Sequence, residues 1–86
     1  MKMIYTSDDI GALVKEKRKA LGMTQVQLAN MSGKGVRFIS DLENGKPTMQ
    51  MGKVLDTLLL LGFDLSLSDR AESKTNSQRD PDDYGS

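Results

Sequence analysis

The stretch from Thr24 to Gly45 constrains this chain most, because it holds two helix starts, a tight turn and a helix stop in quick succession. Thr24-Gln25-Val26-Gln27 has the form of a capping box. The threonine hydroxyl can accept the backbone N–H three residues on, and the glutamine can reach back to the cap's own N–H. Leu28 and Ala29 give the helix that follows its inner face, and Ala29 is small enough for another helix to cross close by. Ser32-Gly33-Lys34-Gly35 does not continue a helix comfortably, so a turn is predicted there, with Gly33 free to take a positive φ. A further helix is predicted from Gly35 to Asn44 with Ile39 and Leu42 inward, Ile39 plugging the angle between the two helices. Asn44-Gly45 ends it, since both residues tolerate the left-handed conformation.

The flanks continue the pattern. Thr6-Ser7-Asp8-Asp9 supplies hydroxyls to cap a helix and acids for its positive end. Ile10, Leu13, Val14, Lys17 and Leu21 follow at helical spacing, and Gly22 stops that helix. Pro47-Thr48 predicts the opening of a fourth helix that lasts to about Leu61, with Gly62 as its stop. Met51, Val54, Leu55, Leu58 and Leu59 share one broad face of it, and Met49, Leu60 and Leu61 widen that face. A helix apolar over so much of its circumference has two things to bury against, its own core and, we expect, a second subunit. Phe63 to Asp69 then alternates apolar and polar residues, the period of a half-buried strand, and Met3-Ile4-Tyr5 is a candidate for a second short one. A lone strand is an unpaired edge, and the same strand from a second copy is its simplest partner. Dimerisation is therefore expected at Leu58, Leu61, Phe63, Leu65 and Leu67. The sequence shows no internal repeats.

At these positions the sequence resembles the Cro/C1-type (XRE) helix-turn-helix family. That family carries Thr-Gln, Leu-Ala, a small residue with Gly, Ile-Ser, and Leu/Ile-Glu-Asn-Gly in order. Here they are Thr24-Gln25, Leu28-Ala29, Ser32-Gly33, Ile39-Ser40 and Leu42-Glu43-Asn44-Gly45, and the match covers residues 10 to 62. The resemblance implies a mainly α fold: a four- to five-helix, lambda-repressor-like domain over 1–70, with a short C-terminal β-strand pairing across a dimer. It departs at Lys34, where the family usually has an apolar residue. The four-carbon stem of Lys34 can cover the spot while its ammonium reaches water or a phosphate. The resemblance also places Arg18 beside Glu43, where a planar guanidinium can grip a carboxylate at two points and clamp the first helix to the end of the third.

By the same resemblance the third helix enters the major groove of DNA with its N-terminal half near base edges. Val36, Arg37 and Asp41 map onto base-reading positions, and Gly35 and Ser40 lie close to backbone or edges. Arg37 is the foremost candidate, because a guanidinium can bond guanine O6 and N7 together, a contact worth about 1–3 kcal/mol. Val36 suits a thymine methyl. Phe38 has two readings, a base step or a neighbouring helix. Gln25 at a helix start suits a phosphate, as do Lys34, Lys46 and Asn44 around the recognition helix. Lys15, Lys17 and Lys19 read as a solvated face.

A narrower resemblance covers Gly35 through Thr48, then Lys53-Val54-Leu55 and Leu61-Gly62, and it is to the HipB-type antitoxins. Those have a similar helix-turn-helix followed by a strand that pairs across the dimer. The implied role is an autorepressor of its own operon, with double-stranded DNA bearing an inverted repeat and a HipA-like serine/threonine kinase toxin as partners. Two alternatives stand beside it: a stand-alone repressor, and a protein-interaction module on the same fold.

Composition bounds these readings. With 86 residues, one small domain is expected, and a second subunit would extend its modest core. There is no cysteine and no histidine, which removes disulfides, Cys/His zinc sites and histidine acid–base chemistry. No phosphate loop or nucleophile–base constellation is present, so an enzyme, a cofactor and a metal are not expected. The longest strongly apolar run, Leu58 to Leu61, is too short for a bilayer, and Met1 to Ile10 has no signal-peptide core, so a cytoplasmic protein is expected. Net charge is zero, but 71–86 carries two bases against four acids and 1–70 is mildly basic. DNA affinity would then depend on a local patch presented twice. The tail contains no Leu, Ile, Val or Phe and reads as disordered.

Overall fold

Thr6 opens the first helix in the computed structural model, which describes residues 3–69. Its hydroxyl accepts the N–H of Asp9 at 3.2 Å, and the Asp9 carboxylate accepts the N–H groups of Thr6 and Tyr5 at 3.0 and 2.8 Å. This reciprocal cap satisfies donors that a helix start leaves open. It fixes α1, Ser7–Ala20. Thr24 and Gln27 repeat the device at 3.0 and 2.8 Å, and α2 runs Gln25–Ser32. Gly33, at φ +71°, takes the left-handed turn that ends it. Gly35 caps α3, Val36–Glu43, without a side-chain bond, and α4 spans Met51–Leu60.

One expectation is corrected. The fourth helix does not open at Pro47-Thr48. Those residues form a bend, Met49 tucks against the core, and Gln50 is still extended at ψ 117°, so the helix waits until Met51. Among the described residues there is no strand: 3–5 and 63–69 have no regular secondary structure. A strand needs a hydrogen-bonded neighbour, and a single chain supplies none to either segment. The tail at 71–86 lies outside the described residues.

The core is Val14, Leu28, Ala29, Ile39, Leu42, Val54, Leu58 and Leu61, with Ile10, Met23, Phe38, Met49 and Phe63 packed around it. Buried Thr57 joins it with its hydroxyl donating to the Lys53 carbonyl at 2.9 Å. Backbone approaches at two glycines draw α1 and α3 together. A Cβ on Gly11 would lie 2.5 Å from the Leu42 carbonyl oxygen, so only glycine lets the helices close to this distance. Gly45 sits at φ +78°, and a Cβ there would collide with the Asp8 side chain. Ser7 Oγ donates to the Gly45 carbonyl at 3.0 Å, tying the start of α1 to the end of α3.

Helix α4 divides its leucines in a way that the sequence reading did not. Val54, Leu58 and Leu61 point inward, each at most 4% exposed. Leu58 and Leu61 thus pack into the chain's own core and leave little surface for a second subunit. Met51, Leu55 and Leu59, spaced by four residues on the other side, stay outward, as does Leu60. Phe63 also packs on the core, with the Lys17 ammonium 5.6 Å from its ring centre, whereas Leu65 and Leu67 are exposed. No helix among the described residues is long and apolar enough to cross a membrane.

Candidate nucleic-acid interface

Helix α3 is strongly two-sided. Ile39 and Leu42 are buried, and Phe38 is half-buried against the core, which favours the packing reading of its ring. Val36 and Arg37 at the first turn face out, the Arg37 side chain 88% exposed. One turn on lie half-buried Ser40 and Asp41. Nothing lies within 4 Å of where a Gly35 Cβ would be, so the approach to this end of the helix is open. Asn44 and Lys46 follow, both exposed.

Charges on this face are coupled. The Asp41 Oδ2 atom lies 3.9 Å from Arg37 Nε and 3.6 Å from Lys46 Nζ. One carboxylate oxygen therefore lies within 4 Å of two exposed cations. The four-residue spacing of Arg37 and Asp41 could have signalled this pair in the sequence; the Lys46 contact depends on the turn after α3.

Lys34 behaves as its stem suggested, though not as its charge did. Its side chain is only 14% exposed. The ammonium donates to the Ser32 carbonyl at 3.3 Å and lies 3.8 Å from Asp56 of α4. Lys34 thus braces the turn against α4. Gln25 is likewise engaged: its Nε2 donates to Glu43 Oε1 at 3.1 Å.

That bond joins Gln25 to the clamp beneath the interface. Arg18 Nε and Nη2 donate to the two Glu43 oxygens at 2.6 and 3.0 Å, and Nη1 donates to the Met23 carbonyl at 2.7 Å. Both side chains are below 10% exposed. Burial pushes the Glu43 carboxyl up, but hydrogen bonds from Arg18 and Gln25, helped by the charges of Arg18 and Lys15, outweigh it and hold the group below its ordinary value. The hydrogen bond to Glu43 raises Arg18 against the opposing effect of burial. The clamp fixes where α1, α2 and α3 meet, and so the angle at which α3 presents its outer face.

Two helices crossing over a glycine turn, the second held from behind and free at its leading edge, define a helix-turn-helix. The chain matches the family described as Helix-turn-helix over residues 14–59, more than half its length, and belongs to that family. It is 52% identical over 66 residues to an uncharacterised HTH-type transcriptional regulator, y4mF, of Sinorhizobium fredii (strain NBRC 101917 / NGR234), covering 77% of this chain and 87% of that protein. It is 31% identical over 58 residues to the ImmF control region 10 kDa protein of Bacillus phage phi105, covering 67% of this chain and 64% of that one. Among solved structures, that of a HipB-O4 20mer complex superposes with a TM-score of 0.72 at 26% identity, covering 84% of this chain and all of that chain. A HipA-HipB-O2-O3 complex gives the same score and identity over 80% of this chain and 97% of that chain. The resemblance to the Cro/C1-type family, and within it to HipB, is therefore shown.

Proposed function

We propose that this chain is a sequence-specific DNA-binding repressor that acts as a dimer on an inverted repeat, with α3 in the major groove. The observation that carries the reading is the outward first turn of α3. Val36 and Arg37 stand clear of the protein on a helix whose opposite side is locked by Ile39 and Leu42. The major groove admits a helix, and these two residue types suit a thymine methyl and a guanine edge. Lys46 and Asn44, at the end of α3, take the adjacent phosphates. Gln25 and Lys34 would reach phosphates only by exchanging the Glu43 and Ser32 partners they hold.

The dimer supplies what one copy lacks. Met51, Leu55 and Leu59 form an outward apolar row on α4, and Leu65 and Leu67 are exposed as well. A second copy covering that row would also give 63–69 the strand partner that it lacks in a single chain. Two α3 helices related by a two-fold axis then meet half-sites about 34 Å apart.

The likeness to the HipB chain of a HipA-HipB complex supports a second partner, a HipA-like serine/threonine kinase toxin, with this chain as its antitoxin and the repressor of their common operon. Gel shift on a duplex from upstream of the gene, with Arg37→Ala as control, tests the DNA reading. A salt-sensitive shift lost in the variant supports it, and no shift at low salt overturns it. Pulldown from the native host tests the toxin reading: a co-purifying kinase-fold chain supports it, and recovery of the dimer alone counts against it.

A further inference from the structure

We infer that Asp41 is a specificity-determining residue of the α3 surface, one that holds down binding to phosphate alone and leaves binding to guanine nearly untouched. The inference rests on the DNA-binding reading above. Its basis is the convergence of two cations on one oxygen. Arg37 Nε and Lys46 Nζ stand 3.9 and 3.6 Å from Asp41 Oδ2, while the carboxylate is 28% exposed beneath an Arg37 side chain that is 88% exposed. The three groups together carry a single positive charge where two cations alone would carry two.

That arrangement treats the two kinds of acceptor on DNA differently. A phosphate is an anion. To draw in Arg37 and Lys46 it must compete with a carboxylate already in place and approach a like charge. The guanine edge is uncharged and offers O6 and N7 in the plane of the base. Arg37 can bond that edge with its outer nitrogens while Nε stays toward Asp41, so the carboxylate then aims the guanidinium. Asp41 thus subtracts affinity mainly from random DNA, the competitor in greatest excess for any repressor.

The test compares wild type and Asp41→Asn on two 20-bp duplexes, one enriched by wild-type protein from a random pool and one of random sequence. Binding is followed by fluorescence anisotropy between about 50 and 200 mM salt. Asn keeps the shape and removes the charge. The expected result is random-duplex affinity up by about fivefold to tenfold, as two weak ion pairs per protomer are released. The logarithmic salt slope for that duplex should steepen by about one per protomer, and the ratio of specific to random affinity should fall by about twofold to fivefold, the Arg37 share of the gain, because Lys46 meets phosphate on both duplexes. Asp41→Glu, which keeps the charge, restores most of the ratio. Circular dichroism verifies folding, and Asp41→Ser serves in place of an Asn variant that does not fold. An unchanged ratio and slope overturn the inference while leaving the DNA reading intact. Weakened binding to the enriched duplex alone also overturns it, because Asp41 would then be reading a base directly. Failure of the wild type to enrich any sequence overturns the DNA reading, and the inference with it.

Discussion

Replacing Glu43 by alanine should bring the domain close to unfolding. The carboxylate accepts two bonds from Arg18 and one from Gln25, and its side chain is 2% exposed. Alanine leaves the Arg18 guanidinium buried, with its bond to the Met23 carbonyl and no carboxylate opposite it. Breaking one side of a buried pair costs about 3–5 kcal/mol, mostly the penalty of the stranded charge. A domain whose whole stability is on the order of 5–15 kcal/mol loses a large part of it. The double variant Arg18→Met/Glu43→Leu removes both charges and fills the space with apolar groups, so it should lie near wild type. Urea unfolding followed by circular dichroism at fixed protein concentration measures both. A Glu43→Ala cost under about 1 kcal/mol, as for an exposed pair, would refute the reasoning, and so would a double variant as unstable as the two single ones combined. The pH dependence follows from the same geometry. The folded Glu43 value lies below the ordinary one of about 4.5. Its contribution is therefore complete above that pH and is lost as pH falls through the folded value. The urea midpoint of wild type should drop with acidification below about 4.5, and Glu43→Ala should lack that part of the drop.

Other outcomes follow from packing. Gly45→Ala meets both a positive φ and the Asp8 side chain; a cost of at least about 1–3 kcal/mol is expected from the backbone alone, read as a lower urea midpoint. On α4, Leu58→Ala should cost about 2–5 kcal/mol by opening a core cavity, whereas Leu59→Asp on the outward row should change monomer stability by no more than about 0.5 kcal/mol. The same Leu59→Asp should shift sedimentation equilibrium toward monomer and weaken operator binding with it; an unshifted dimer places the interface elsewhere.

Where the sequence was legible, local chemistry decided the structure. Thr24 with Gln27 caps a helix wherever it sits, Gly33 and Gly45 permit positive φ, and Ile39 with Leu42 marks one face of a short helix. Both α2 and α3 could be read for that reason, and Arg18 with Glu43 could be paired through family resemblance. What escaped depends on contacts between distant elements. Proline at 47 suggested a helix start, but Met49 reaches the core only if the chain stays bent until Met51. Leucines 58 to 61 look alike in sequence, and the angle of α4 decides that Leu58 and Leu61 face in while Leu59 and Leu60 face out. The engagement of Gln25 with Glu43, and of Lys34 with Ser32 and Asp56, likewise requires the assembled fold.

The most direct test of a major-groove reading through α3 alters one atom of the groove. In the enriched duplex, each guanine can be replaced in turn by 7-deazaguanine, which removes the N7 acceptor and leaves pairing and the minor groove unchanged. One guanine per half-site should then weaken wild-type binding by a substantial part of the roughly 1–3 kcal/mol of a bidentate arginine contact, and Arg37→Ala, already weaker, should not respond to that substitution. Equal sensitivity in wild type and variant, or none at any guanine, would contradict the placement of Arg37 and α3 in the groove.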